Sequence, residues 1–498
     1  MADIDRKAAA TAGKGKAPAA SNWEAALIAL PFALFAAIAA VPLSRWNSHV
    51  MLGYNEGWNA YYALAAASGG ELYPAPDAFI GNNYPPLSFF TAGLLGRLIG
   101  GDYVVAGRLL ALASLPIVAG NLFAIGRWVG ADRAAAALGS GVFLVLFATL
   151  TPDYIGQDDP QMFGHALVTS GAVVFLRGRA SLARLAVAAA LTIAGGLVKH
   201  NLVALPLALC CWAAFHDRRR LALFAAAGAG IGVTALGLLH VLWGEAVFDA
   251  VLRSPRVTDW HRMLVFTRFA LVGKMLVPLV VLTGAACLLR ARRPESHLLA
   301  LYAFLAALAG FPLLSGAGVN FNVLADFCMG LSLGAALAVS VAGESGVARR
   351  RLTMLVVAAV LSLQANAFFR MRPDYYDRPS REVDETRALV DVLAKADGPV
   401  ACENLVFCFW AGRPQEMDFF NYGQKLFTGF VTDTEFRRRL SEHRYRYLVM
   451  DVVKTNSRLW PPRLPRDTIA WLQANYAPVG RYGDNILLAP TGAGARTP

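Results

Sequence analysis

The stretch AALIALPFALFAAIAAV, residues 25–41, decides the class of fold because it contains no charged side chain. About 20 apolar residues are needed to cross the hydrocarbon core of a bilayer, and comparable stretches recur along the chain as far as Phe368. Of the 498 residues, 56% are hydrophobic and 16% are charged, whereas soluble domains average about 45–50% apolar and about 25% charged residues. The sequence therefore predicts a multi-pass membrane protein and argues against a soluble enzyme.

The apolar stretches and the arginine-bearing loops between them predict a mainly α-helical, polytopic bundle with about eleven membrane spans. The predicted spans are 24–43, 104–125, 134–150, 162–176, 185–198, 202–215, 221–243, 269–289, 298–314, 323–341 and 352–368. The fifth and sixth are interpreted as a hairpin, because one continuous helix there would invert every later loop. With the hairpin, eighteen Lys and Arg residues lie on one side and six on the other, and the side with more positive charge is cytoplasmic. Topology thus accounts for much of the net charge of +12, and no nucleic-acid partner is expected.

The two ends of the chain differ in composition from the spans. Residues 1–21 are rich in Ala, Gly and Lys, which predicts a disordered cytoplasmic tail before a membrane domain at 22–369; a signal peptide is the alternative for the start. Residues 370–498 contain no spanning stretch and are expected on the periplasmic side as a small α/β domain. Its predicted helices are 383–395, 434–443 and 467–475, and its predicted strands are 399–402, 447–452 and 486–489. Cys402 and Cys408 form either a disulfide or two buried thiols.

The loop after the first span carries the first candidate for chemistry. Glu56 is flanked by Trp58 and Tyr61, and Tyr84 follows before an apolar segment, 87–99, that is expected to lie as a juxtamembrane helix on the membrane surface. The aromatic residues alone are typical of an interfacial belt. A carboxylate at the membrane boundary is costly unless it is paired or useful, so Glu56 is a candidate functional residue.

Later loops on the same predicted side add charged and polar candidates. Asp158 and Asp159 either gain from the dipole of the helix that follows or, because like charges repel, attract a proton or a cation. Lys199 lies at the predicted hairpin tip, where snorkelling to the interface is the alternative to a binding role; Arg108, near a span end, is interpreted as snorkelling. Further candidates are His200, Asn201, Arg253, Arg256, Arg262, Asn320 and Asn322.

The order of these motifs resembles the GT-C membrane glycosyltransferases, in particular the branch of protein O-mannosyltransferases and aminoarabinose transferases that act on lipid A (glycosyltransferase family 39-type). The resemblance rests on NEGW at 55–58, YPPL at 84–87, DDP at 158–160, KHN at 199–201 and the segment 320–326, and it covers most of the chain. It implies an inverting transfer of a sugar from a polyprenyl-phosphate donor to a glycan, lipid or protein acceptor at the periplasmic face of the bacterial inner membrane.

The resemblance also implies roles for the candidates. The family has an Asp-Glu pair where this chain has Asn55 and Glu56, so the general base is assigned to Glu56, with Asp158 or Asp159 as the alternative. The residues assigned to the donor phosphate are Lys199, His200, Arg253, Arg256 and Arg262. The residues assigned to the sugar or acceptor are Trp58, Tyr61, Tyr84, Asn201, Asn320 and Asn322. A divalent cation, Mg²⁺ or Mn²⁺, between Glu56 and Asp158 or Asp159 is compatible with this assignment but not required by it.

Two other classes of function stay open at this stage. A transporter or flippase for a lipid-linked or anionic solute would also handle such a ligand, but intramembrane charge is typical of that class and the charges here concentrate at one surface. A non-catalytic scaffold is the second alternative, because Asn55 departs from the family pattern.

Overall fold

The computed structural model describes residues 22–274, 276–344, 346–370, 373–451 and 463–492; the predicted tail at 1–21 lies outside the described residues. The helices of the first half are α1 (Asn22–Ser44), α2 (Asn55–Ser68), α3 (Leu87–Leu98), α4 (Tyr103–Trp128), α5 (Arg133–Leu150), α6 (Gln161–Leu176), α7 (Leu182–Val198), α8 (Ala204–His216) and α9 (Arg218–Trp243). Those that follow are α10 (Ala246–Leu252), α11 (Trp260–Arg268), α12 (Leu276–Leu289), α13 (Pro294–Leu313), α14 (Ala325–Val341) and α15 (Gly346–Arg370).

The remaining elements form the C-terminal unit, residues 373–451 and 463–492. Its elements are α16 (Pro373–Ala394), β1 (Val400–Cys402), α17 (Leu405–Trp410), α18 (Phe419–Phe427), α19 (Thr434–Ser441), β2 (Tyr447–Asp451), α20 (Arg466–Asn475), β3 (Tyr476–Tyr482) and β4 (Asn485–Pro490).

The protein is mainly helical and has the helices of a multi-pass membrane protein. Within the described residues, six helices are long and apolar enough to cross a membrane, or seven if one bent pair counts as a single span. Four shorter apolar helices accompany them: α3, α6, α7 and α8. Residues 182–216 form two helices, α7 and α8, separated by residues 199–203, rather than one continuous helix; their arrangement as a hairpin stays a prediction. The count of about eleven spans stays a prediction.

The predicted span 269–289 differs from the structure. Instead of one straight helix, α11 continues into a π-helical turn, Phe269–Gly273, and the chain then bends by 74° before α12. Pro278 lies in the first turn of α12 and has no N–H to donate to the carbonyl four residues earlier. A continuous helix through this point would therefore lose a backbone hydrogen bond.

The C-terminal unit contains a four-stranded sheet in the order β1-β2-β4-β3, in which β1 and β2 are parallel and the other pairs antiparallel. The predicted strands and helices of this region are all present, whereas β3 was missed. Its sequence, YAPVGRY, contains Pro478 and Gly480, which weaken a strand signal, but proline is tolerated on an edge strand and β3 lies at the edge with a register shift between those two residues. The structure pairs Cys402 with Cys408 in a disulfide.

The C-terminal unit packs directly on α2. Ala60 and Ala63 of α2 share a buried apolar cluster with Val406 and Phe407 of α17. The two helices approach so closely that a Cβ on Gly57 would collide with the backbone nitrogen of Val406. Gly57, within the NEGW motif, therefore has a packing role at this contact.

Replacing Gly57 by alanine is expected to destabilise this contact by at least about 1–3 kcal/mol, the usual cost of overpacking, because a backbone atom cannot rotate away. The measurement is thermal unfolding of the detergent-solubilised protein. Gly120→Ala is the matched control, since a Cβ there meets no atom within 4 Å. Equal unfolding temperatures for the two variants would contradict the packing role.

Candidate active site

A cavity of about 290 Å³ lies where the loop between α1 and α4, the α7–α8 turn, the segment before α14 and the start of α18 meet. We call it the central cavity. Its lining includes the side chains of Tyr54, Asn55, Tyr84, Lys199, Arg256 and Asp418. It is at the small end of ligand pockets, which range over about 300–1,000 Å³, and therefore has the size for one monosaccharide rather than a long glycan.

Asp159 and Lys199 form a buried ion pair beside the central cavity, which Lys199 lines and Asp159 does not, with 3.4 Å between Lys199 Nζ and Asp159 Oδ1. Asp159 Oδ1 also accepts from the backbone N–H of Gln161 at 2.8 Å, and its Oδ2 accepts from Asn55 Nδ2 at 2.9 Å. The Lys199 ammonium lies 4.8 Å from the centre of the Tyr84 ring. Burial acts to lower the pKa of Lys199, but Asp159 and Tyr84 outweigh it and the net shift is upward, so Lys199 is a cation.

Glu56 is fully buried, and both of its carboxylate oxygens accept hydrogen bonds from other groups of the protein. Its carboxylate receives two hydrogen bonds from Arg108, from Nε to Oε1 at 2.7 Å and from Nη2 to Oε2 at 2.8 Å. The backbone N–H groups of Leu52 and Asp158 donate to the same two oxygens, at 2.8 and 3.2 Å. A carboxylate has about four acceptor positions, and these four bonds use them. Glu56 does not line the central cavity.

Arg108 is 0% exposed, so the snorkelling interpretation of this residue is wrong. Besides Glu56, it donates to the backbone carbonyls of Arg45, Ser48 and Val50. These carbonyls lie outside any helix ladder, and Arg108 supplies each of them with a donor. The Glu56–Arg108 pair therefore fixes the chain segment that leads from α1 into α2.

Asp158 is buried, and among the described residues its Oδ2 has no hydrogen-bond partner. Burial, and then the nearby Glu56 and Asp159 carboxylates, raise its pKa well above the usual value. A Cβ on Gly107 of α4 would overlap the Asp158 carboxylate, so a glycine is needed there for the carboxyl group to fit. Burial and the nearby carboxylates thus favour the protonated form of Asp158.

Asp158→Asn is expected to raise the unfolding temperature at pH 7 relative to the parent. The folded protein keeps on Asp158 a proton that the unfolded chain releases near pH 4, so stability falls as pH rises from there through the folded pKa. An amide removes that penalty, and the gain should vanish near pH 4. Thermal unfolding from pH 4 to pH 8 measures this, with Asp384→Asn as the exposed control. A lower unfolding temperature for Asp158→Asn at pH 7 would contradict the protonated state.

The five basic residues predicted to bind phosphate separate into two groups. Lys199, His200 and Arg256 line the central cavity; Arg256 donates to the Ala317 carbonyl at 2.7 Å and its guanidinium lies 5.4 Å from the Phe420 ring centre. The structure does not bring the other two to the cavity, and their contacts explain why in each case.

Arg253 and Arg262 are held elsewhere. Arg253 pairs with Asp249, one turn earlier on the exposed side of α10. Arg262 is buried and donates to the carbonyls of Leu314, Gly316 and Val319, and so folds the loop that follows α13.

The predicted sugar-binding residues also separate. Trp58, Tyr84, Asn201, Asn320 and Asn322 line the central cavity. Tyr61 does not, because its hydroxyl donates to the Arg413 carbonyl at 2.6 Å and its ring packs on Phe409. Tyr61 therefore joins α2 to the C-terminal unit.

The C-terminal unit supplies a wall that sequence reasoning missed. Asp418 and Phe420, at the start of α18, line the central cavity. Asp418 Oδ1 accepts from the backbone N–H groups of Phe420 and Asn421, both at 3.0 Å, and from the Tyr54 hydroxyl at 3.3 Å. An Asp before a helix is a recognisable N-cap signal, but nothing in the sequence relates position 418 to position 54.

The arrangement does not fit the divalent cation that the sequence left open. Glu56 already has its oxygens occupied by Arg108 and two N–H groups, and Asp159 faces Lys199 and Asn55. Over the described ranges, no group of three or more His, Cys, Asp or Glu side chains is arranged to hold a metal ion. The reaction proposed below uses only side chains of the protein.

No protein-family profile and no curated protein sequence matches the chain. The structure is similar to that of ArnT from Cupriavidus metallidurans bound to undecaprenyl phosphate, with a TM-score of 0.57 and 16% identity over 95% of this chain and 99% of that one. The apo state of the same protein gives 0.58 and 17% over 92% and 98%. An Archaeoglobus fulgidus oligosaccharyltransferase tethered with an acceptor peptide gives 0.50 and 12% over 92% and 72%.

These similar structures are GT-C superfamily glycosyltransferases, so the fold of this chain is the GT-C fold, and the resemblance noted from the sequence motifs is confirmed at the level of the fold. Because the identities are low, the likeness shows the fold alone. A fold does not determine the chemistry, which depends on the side chains of the site.

Proposed function

We propose that the protein is an inverting glycosyltransferase that moves a sugar from a polyprenyl-phosphate donor to an acceptor hydroxyl. The observation that carries the proposal is Lys199, a cation in the lining of a polar, aromatic-lined cavity of a GT-C fold, held in a buried ion pair with Asp159. A cation and a carboxylate side by side supply the two things that this reaction needs, a partner for the leaving phosphate and an acceptor for a proton.

Lys199 and Arg256 are assigned to the donor phosphate. Both line the central cavity, and both are cations whose positions are fixed by an aromatic ring, Tyr84 and Phe420 respectively. As the bond between the sugar and the phosphate breaks, negative charge grows on the phosphate oxygen that leaves. Fixed positive charges stabilise that transition state more than the ground state.

Asp159 is assigned as the general base. Of the three candidate carboxylates, Glu56 is held by Arg108, and burial raises the pKa of Asp158. Asp159 is the one that remains. Its Oδ2 accepts one bond, from Asn55, and has room for a second. The acceptor oxygen attacks the anomeric carbon, the bond to the phosphate oxygen breaks with its electron pair, and the hydroxyl proton passes to Asp159. Attack opposite the leaving group inverts the anomeric configuration.

Asn55 fits this assignment. An aspartate at position 55 would place a second negative charge beside Asp159, and like charges that close raise one of the two pKa values. The amide instead donates a hydrogen bond to Asp159 Oδ2 at 2.9 Å and adds no charge. In this chain the catalytic carboxylate is therefore at 159 rather than at 55.

The same proposal includes the topology of about eleven spans, with a cytoplasmic N-terminus and the C-terminal unit in the periplasm of a bacterial inner membrane. Lys and Arg concentrate in the loops on the side assigned to the cytoplasm, and this asymmetry supports the orientation. Alkaline phosphatase fused after Thr491 is then expected to be active. A fluorescent protein that folds only in the cytoplasm should be dark at the same position, and the opposite result would contradict the orientation.

The experiment that tests the function is mass spectrometry of the lipid pool in a deletion strain. A polyprenyl-phosphate sugar should accumulate, and the parent gene but not the Asp159→Asn variant should clear it. An unchanged lipid pool would overturn the proposal. If sealed vesicles with the purified protein instead take up the lipid-linked sugar without chemical change, the transporter alternative is correct.

A further inference from the structure

The central cavity is lined by six side chains that end in an amide. They belong to Asn55, Asn83, Asn201, Asn320, Asn322 and Asn421. Each amide offers two N–H donors and one carbonyl oxygen with two acceptor positions. The hydroxyl groups of a sugar also both donate and accept hydrogen bonds. Amides therefore match sugar hydroxyls on both counts, and they do so without adding charge to the site.

Two of these amides, those of Asn83 and Asn201, are open to a ligand. Among the residues that the structure describes, neither side chain makes a hydrogen bond, whereas Asn55, for example, donates to Asp159. Oδ1 of Asn201 is moreover buried without a partner there, and a buried acceptor of this kind costs free energy unless a donor reaches it. Asn83 and Asn201 are therefore the amides best placed to bind sugar hydroxyls.

The lining offers no carboxylate to a positively charged sugar. Within the described ranges its one carboxyl group is that of Asp418. Oδ1 of Asp418 accepts from two backbone N–H groups and from the Tyr54 hydroxyl, and Oδ2 accepts from Asn421 Nδ2 at 2.6 Å. These four bonds use the about four acceptor positions of a carboxyl group. Burial also raises the pKa of Asp418, which disfavours its charged form. An ammonium group on the sugar would therefore stay unpaired, and Lys199 and Arg256 would repel it.

The cations of the lining do not favour an acidic sugar either. Lys199 is already in an ion pair with Asp159, and the phosphodiester of the donor brings a negative charge of its own, to which Lys199 and Arg256 are assigned. A carboxylate on the sugar would add a second negative charge. No further Lys or Arg side chain among the described lining residues would balance it, and a charge without a partner is costly in an enclosed site.

We propose that the donor sugar is uncharged, a hexose or pentose without an amine or a carboxylate, and that Asn83 and Asn201 bind its hydroxyl groups. The inference rests on the proposed function, because it names the class of sugar at that same donor site. The cavity of about 290 Å³ has room for one such sugar. Hydroxyl groups are the main polar groups of such a sugar, and the two open amides can serve them as donors and as acceptors.

The first test is the chemical identity of the lipid-linked sugar that accumulates in the deletion strain. We expect a polyprenyl-phosphate sugar with no charge beyond that of its phosphodiester. Mass spectrometry before and after treatment with an amine-selective reagent measures this. A sugar that reacts with the reagent, or whose mass shows a carboxylate, would overturn the assigned class and leave the proposed function intact. If no lipid-linked sugar accumulates, the proposed function itself fails.

The second test removes the two amides, with the lipid isolated from the deletion strain as the donor. Asn83→Ala and Asn201→Ala should each lower kcat/KM for release of polyprenyl phosphate about two- to tenfold, the effect of one lost hydrogen bond. Their unfolding temperatures should not fall, because neither amide is bonded to the described protein. Asn47→Ala, at an exposed position outside the cavity, is the matched control and should keep the parent value. Parent kcat/KM in the double variant would contradict the role of the amides.

A change of charge at the same position separates the classes of sugar. Asn83→Asp should lower kcat/KM for the isolated donor at least as much as Asn83→Ala does, because the new carboxylate repels the phosphodiester and has no ammonium group to pair with. A rise in kcat/KM would show a cationic sugar and overturn the assignment. Asn47→Asp makes the same change outside the cavity and should have no effect.

Discussion

Asp159→Asn is expected to lower the rate of sugar transfer about 10²–10⁴-fold, the usual contribution of a general base, while the protein stays folded. The asparagine carbonyl can still accept from the Gln161 N–H, as Asp159 Oδ1 does at 2.8 Å. The amide cannot take a proton from the acceptor hydroxyl. Lys199 also loses the carboxylate that helps to hold its pKa above the usual value.

The measurement is the initial rate of polyprenyl-phosphate release with donor and acceptor at saturation, from pH 5 to pH 9. The parent should release polyprenyl phosphate throughout this range, and Asp159→Asn should be much slower at every pH. Asp158→Asn is the informative neighbour, since it changes an adjacent carboxyl group that already carries its proton. Loss of activity in Asp158→Asn with retention in Asp159→Asn would contradict the assignment of the base.

Lys199→Met tests the cation of the Asp159–Lys199 ion pair. Removal of one fixed positive partner of a developing oxyanion costs about 10²–10³ in rate, and the loss should fall on kcat rather than on acceptor KM. Methionine keeps much of the packing against Tyr84. A variant with parent kcat would show that Lys199 only neutralises Asp159.

The second large effect concerns stability rather than rate. Glu56→Gln and Arg108→Met are each expected to cost about 3–5 kcal/mol, because removal of one partner of a buried ion pair leaves an uncompensated charge. Both side chains are 0% exposed. The double variant should lose less than the sum of the two, since it leaves no unpaired charge. Unfolding in detergent and the yield of inserted protein measure this.

Asp249→Asn is the control, because it breaks an ion pair with an exposed arginine, Arg253, and surface pairs contribute about 0–1 kcal/mol. The comparison also tests the original assignment of Glu56. A Glu56→Gln protein with parent stability but no transfer activity would show that Glu56 is the base and that its pairing with Arg108 is not structural.

Much of the fold could be predicted because it follows from local properties. Apolar length predicts spans, and the Arg-bearing loops predicted that 185–215 is not one continuous helix, as the break between α7 and α8 shows. The strands of the C-terminal unit were found where β-branched and apolar residues run together. β3 was missed because Pro478 and Gly480 are permitted only by its place at the sheet edge.

The sequence by itself determined a membrane protein with the order of motifs of GT-C enzymes, and it found Asp159, Lys199 and the cavity asparagines among its candidates. Only the tertiary structure decided which carboxylate was available for chemistry. Glu56, Asp158 and Asp159 are the same kind of acid in sequence; Arg108 occupies the first, burial raises the pKa of the second, and Lys199 and Asn55 contact the third. The reason is that the charge state of a buried acid depends on neighbours many positions away along the chain, which no local pattern records.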